Sequence, residues 1–158
     1  MSYAIELALD AAAAAAVRHL WRELDDAGIT YMARSGARPH VSPGVWETVD
    51  PSTAEAALTR LASETAPLPL TFASIGLFPG VAVILAPTVT SELLDLHARV
   101  HNRSADIGAA PWEHSRPGVW VPHCTLATDL AKDQFEIGLV EFRPVTRPTA
   151  PSAPGGRP

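Results

Sequence analysis

Two short stretches of this chain place an imidazole and a hydroxyl two residues apart in strand-like surroundings. They are RPHVSPGVW, with His40 and Ser42, and WVPHCTLATD, with His123 and Thr125. Side chains alternate faces along a strand, so each histidine shares a face with its hydroxyl, while Val41 and Cys124 turn to the core. If the two stretches converge on one cleft, two imidazoles and two hydroxyls suit a phosphodiester. A neutral imidazole takes a proton from attacking water, and a protonated one gives a proton to the leaving oxygen. The hydroxyls donate to the non-bridging oxygens, where charge grows in the transition state. No metal or covalent intermediate is required.

Periodicity and punctuation give the elements that hold these residues. YAIELAL, from Tyr3, reads as a strand. An Ala-rich segment follows, with Val17, Leu20, Trp21 and Leu24 at helical spacing and Gly28 closing it. A second strand starts at His40, and Pro43 within it predicts an edge position or a bulge. Asp50 and Pro51 open a helix carrying Ala54, Ala57, Leu58 and Leu61. Residues 70–78 and 81–86 read as a hairpin turning at Pro79 and Gly80. Thr90 or Ser91 caps a helix with Leu93, Leu96 and Val100 on one face. A loop rich in Gly, Pro and Trp leads to the His123 strand. FEIGLVEF, from Phe135, reads as the last strand, and the Pro/Gly-rich segment 146–158 is expected to be disordered. The order strand, helix, His40 repeats as strand, helix, His123 at similar offsets, as in a diverged duplication.

The totals narrow the partners. The chain has 158 residues, 47% of them hydrophobic and 18% charged, which suits one soluble globular domain. Twelve Lys+Arg against 17 Asp+Glu give a net charge of −5, so no global field draws in a phosphate backbone. The one cysteine, Cys124, fits a reducing compartment. The N-terminal residues lack a basic n-region, and no run reaches the roughly 18 apolar residues of a membrane helix. A soluble, cytoplasmic protein is expected.

The pair RPHVSPGVW and WVPHCTLATD resembles the two signature motifs of the 2H phosphoesterase superfamily. The segment LPLTFASIGLFPGVAVILAPTVTSELLDLHARVH between them resembles the middle of its 2′-5′ RNA ligase branch. The similarity covers roughly residues 3 to 128. It implies an α+β fold: one bilobal domain over residues 1–145, a pseudo-twofold duplication whose antiparallel sheets flank a central cleft with helices outside. It also implies opening of a 2′,3′-cyclic phosphate, on a nucleotide or RNA 3′ end, to a 2′-phosphate, with RNA-end ligation as a weak reverse activity. No cofactor and a monomeric state are expected. Carried over residue by residue, His40 and His123 become the acid–base pair, and Ser42 and Thr125 the phosphate-binding hydroxyls. The chain departs from the family pattern at Pro43, where a hydrophobic strand residue is usual, and at Thr128, where many ligase-like members carry an arginine. The helix expected after the second motif is shortened. The rival expectation is a nucleotide- or RNA-binding module that keeps the fold and turns over little.

Other residues have competing readings. Arg38 and Arg116 are equal candidates to supply a charge to the phosphate. Trp46 falls on the His40 side by alternation, so it either stacks a base or belongs to the core. Trp112 is the second stacking candidate, and Trp120 reads as core. His97 and His101, four apart on a helix, have zinc-ligand spacing, with His114 as the nearest third donor. No Glu adjoins His97, which favours surface or boundary histidines and no metal. Cys124 turns away from the histidines, and His19 reads as partly exposed.

Overall fold

The structure is a computed structural model, described here for residues 2–105 and 107–130. The expected strand at FEIGLVEF, the segment 146–158 and the shortened last helix lie outside these residues. The fold is α+β, with four helices and two three-stranded antiparallel sheets among the described residues.

Strand β1 (Tyr3–Ala8) leads into helix α1 (Ala11–Asp26) through Asp10, whose carboxylate accepts from Ala13 N at 2.8 Å. Ala14, Val17, Trp21 and Leu24 recur at helical spacing and are buried. Gly28, at φ +90°, ends the helix as a residue without a Cβ can. A short helix α2 (Tyr31–Arg34), not foreseen from the sequence, precedes β2 (His40–Val49). Helix α3 (Pro51–Ser63) starts as expected, with Asp50 as cap and Pro51 in the first turn.

Strands β3 (Phe72–Phe78) and β4 (Ala82–Pro87) form the expected hairpin, turning through Gly80 at φ +69°. Thr90, rather than Ser91, caps α4 (Ser91–Arg103), accepting from Leu93 N at 3.2 Å. The following segment, expected as a loop, contains β5 (Gly108–Pro111) and a single 3₁₀ turn at Glu113–Ser115. Strand β6 (Cys124–Thr128) carries the second motif.

The strand orders are β1-β2-β5 and β3-β4-β6. The strand β2 is therefore central, and the edge position expected from Pro43 is not what forms. The bulge is. Ile5 pairs with Gly44 and Leu7 with Val41, so Ser42 and Pro43 together face one residue of β1. A matching irregularity occurs in β6, where Val83 and Ile84 pair with Ala127 and Thr125, leaving Leu126 extra. The helices cross over: α1 packs on β6 and α4 on β2. The main core joins Val17, Trp21 and Leu24 of α1 to Val41, Val83, Cys124 and Leu126. Among the described residues, no helix is long and apolar enough to cross a membrane.

Candidate active site

One cavity of about 550 Å³ is bordered by residues of both motifs: His40 and Ser42 from β2, His123 and Thr125 at β6. The two stretches reach it by the same local route. From His40 to Val45 the residues run half-buried, buried, half-buried, buried, buried, half-buried, and His123 to Thr128 repeats that order. The bulge explains it. Alternation brings the histidine and hydroxyl to one face, and the extra residue then shifts the phase, so that Val45 and Thr128 come next to the cavity.

The imidazoles are held alike. His40 Nδ1 donates to the Arg38 carbonyl at 2.6 Å, and His123 Nδ1 donates to the Val121 carbonyl at 2.7 Å. A carbonyl only accepts, so each Nδ1 carries the proton and each Nε2 is left for chemistry. The carbonyls of the hydroxyl residues are held in turn by two indoles. Trp21 Nε1 donates to Thr125 O at 3.0 Å, and Trp120 Nε1 donates to Ser42 O at 2.9 Å. Neither the Ser42 nor the Thr125 hydroxyl is bonded to another described residue.

The two histidines differ in their surroundings. Burial pushes the His123 imidazole below the ordinary histidine value, and its hydrogen bond to Val121 offsets this only in part. Charge on His40 or His114 acts on it in the same downward direction. Phe78 stands edge-on to its ring, with centroids 4.9 Å apart. Beside His40, by contrast, the Glu6 carboxylate lies 3.7 Å from Nδ1.

The remaining candidates divide. Arg38 borders the cavity but is tied to Glu6 at 3.3 Å. Trp112 borders it and is 39% exposed. Arg116 does not border it. Its carbonyl receives both Val119 N and Trp120 N, and this turn gives the wall positions to those two residues while Arg116 stays exposed.

Trp46 does not stack a base; it is a core residue, 3% exposed and packed with Leu96 and Val100. A Cβ at Gly44 would run into its ring, and one at Gly108 would come within 2.8 Å of it. The phase shift at Pro43 put Val45 where unbroken alternation had placed Trp46. Phe78 and His114 border the cavity without having been singled out as site residues. In the sequence, Phe78 carries no signal beyond ending a strand, and His114 stands out only as a third zinc donor.

His97 and His101 brace residues behind the cavity wall. His97 is buried, donates from Nε2 to Ser115 O at 2.9 Å, and stacks on Trp120 with centroids 4.0 Å apart. His101 Nε2 donates to Pro43 O at 3.1 Å, bracing the bulge. Cys124 is buried in the core, which pushes its thiol up and away from nucleophilic use.

The His97 placement carries a stability prediction. Burial lowers its affinity for a proton in the folded state. Below about pH 6.5, the unfolded chain therefore takes up a proton that the folded chain refuses, and stability falls with acid. The variant His97→Gln keeps a donor for Ser115 O. It is expected to melt lower at neutral pH but to lose less Tm between about pH 7 and 5. Parallel acid profiles for the two proteins would contradict this.

A family model, the 2′-5′ RNA ligase superfamily, matches residues 9–150. This bears out the resemblance carried by the two histidine motifs. No curated protein matches the chain. With nearly its whole length covered by that match, the chain belongs to the 2′-5′ RNA ligase superfamily.

Proposed function

We propose that the protein is a metal-independent cyclic phosphodiesterase that opens a nucleoside or RNA-end 2′,3′-cyclic phosphate to a 2′-phosphate. The observation that carries this reading is the pair of imidazoles on one cavity, each with Nδ1 donated to the carbonyl two residues earlier. His123, kept neutral by burial, takes a proton from water at Nε2 as the water oxygen attacks phosphorus. His40, with Glu6 beside its Nδ1, serves as the acid and gives its Nε2 proton to the 3′-oxygen as the phosphorus–O3′ bond breaks. Ser42 and Thr125 donate to the non-bridging oxygens, and their carbonyls are fixed by the two indoles.

We take β1-α1-β2 and β4-α4-β6 as two copies of one unit related by a pseudo-twofold axis, with the cavity as the cleft between the lobes of one domain. The reciprocal indole bonds, the matching bulges and the crossed packing of α1 and α4 support it.

The test is incubation of the full chain with a nucleoside 2′,3′-cyclic phosphate in EDTA, with products separated by chromatography. A 2′-phosphate is expected, and kcat/KM should trace a bell against pH. Because His123 must be neutral and burial lowers its pKa, the acid limb should fall below about pH 6.5. No turnover by the folded protein sinks the proposal, as does activity lost in EDTA and restored by zinc.

A further inference from the structure

The cavity is built for one small ligand, and its lining says which kind. Its volume, about 550 Å³, is in the range of sites that enclose a single small molecule. Among the described residues that border it, Arg38 is the one permanent cation, and Glu6 already takes up part of its charge. The two positions that the bulges bring to the cavity, Val45 and Thr128, are uncharged. The Thr128 hydroxyl is also occupied, donating to Val81 O at 3.1 Å. Among the described residues, nothing at the cavity continues into a track for further phosphates.

The mouth is apolar instead. Val81, Val119, Val121 and Trp112 all border the cavity and stay 61%, 55%, 47% and 39% exposed. A soluble protein rarely leaves such a set open to water unless a ligand covers it. Trp112 is held as a platform: its backbone N–H donates to Val45 O at 2.9 Å, and its carbonyl accepts from Ser115 Oγ at 2.8 Å.

We infer that the site selects its substrate by one flat apolar group beside a single phosphate, so that a mononucleotide is recognised through its base and added nucleotides contribute nothing. This rests on the phosphodiesterase reading. A stacked base is worth roughly 10- to 100-fold in binding, whereas chain length helps only where cations release counterions from further phosphates.

The experiment compares kcat/KM of the full chain on three substrates: a nucleoside 2′,3′-cyclic phosphate, ribose 2′,3′-cyclic phosphate without a base, and an oligonucleotide ending in the cyclic group. The nucleoside is expected to exceed the base-free sugar by roughly 10- to 100-fold, and in Trp112→Ala that ratio should shrink to a few-fold. The oligonucleotide should match the mononucleotide at both low and high salt. Equal rates with and without a base, an unchanged ratio in Trp112→Ala, or an oligonucleotide preference that vanishes at high salt each overturn the inference. Calorimetry with nucleoside 2′-monophosphate and ribose 2-phosphate separates it from the reaction itself. If no substrate turns over, the phosphodiesterase reading falls. A binding preference for the nucleoside that Trp112→Ala abolishes still upholds base recognition, and equal or absent binding overturns it.

Discussion

His123→Ala is expected to lower kcat on a nucleoside 2′,3′-cyclic phosphate by about 10²–10⁴-fold, the worth of a placed proton-transfer group. His40→Ala should cost a similar amount, because the proposed mechanism gives each imidazole one end of the same displacement. Product affinity should change little, since the hydroxyls of Ser42 and Thr125 and the apolar mouth remain. The double variant should lose less than the product of the two single losses, because groups acting in one transition state are not additive. The pH profiles separate the roles. His123→Ala should erase the acid limb, and His40→Ala the alkaline one. Both variants should fold, since each side chain is half-buried and its partner is a backbone carbonyl that water can satisfy. Wild-type activity in His123→Ala would remove this histidine from the mechanism.

Much of the frame that holds these histidines is local chemistry, which is why it can be read residue by residue. Asp10, Asp50 and Thr90 cap helices through their own side chains, and Gly80 turns the β3–β4 hairpin at positive φ. The His-x-Ser and His-x-Thr triplets are equally local, since alternation over three residues needs no knowledge of the rest of the chain. Strand β5 escaped notice for the opposite reason. Gly108–Pro111 has no β-branched or aromatic residue, and it is a strand only because β2 offers it an edge.

The misplacement of Trp46 shows where such reading stops. Pro43 signalled a bulge, but an edge position was an equal alternative, and only the bulge shifts the phase of every residue after it. The pairing of β1 with β2 decides between them, and that is a contact between distant residues. The same holds for Arg116, whose exposure depends on the turn around it, and for Phe78 and His114, which meet His123 only through the fold. The indole bonds are the furthest from view. Trp21 and Trp120 each read as apolar, yet each reaches a motif distant in the chain, Trp21 that of His123 and Trp120 that of His40.

Those indoles predict a large effect on stability. Trp21 is 3% exposed, packs with Val17, Leu24 and Met32, and gives its N–H to Thr125 O. Trp21→Ala opens a cavity beneath β6 and strips the carbonyl of its donor. A loss of about 3–5 kcal/mol is expected, or a fall in Tm on the order of 10 °C. Trp21→Phe isolates the hydrogen bond. It keeps most of the ring and leaves Thr125 O unpaired, at a cost of about 1–3 kcal/mol. Under conditions where Trp21→Phe is fully folded, kcat should fall, by up to roughly 10²-fold, while KM moves little, because the proposed mechanism needs the Thr125 hydroxyl most when charge has grown on the phosphate. Trp120→Phe should act in the same direction through Ser42. Equal changes in kcat and KM would mark the indoles as packing alone, and a loss below about 1 kcal/mol in Trp21→Ala would contradict the placement of the ring in the core.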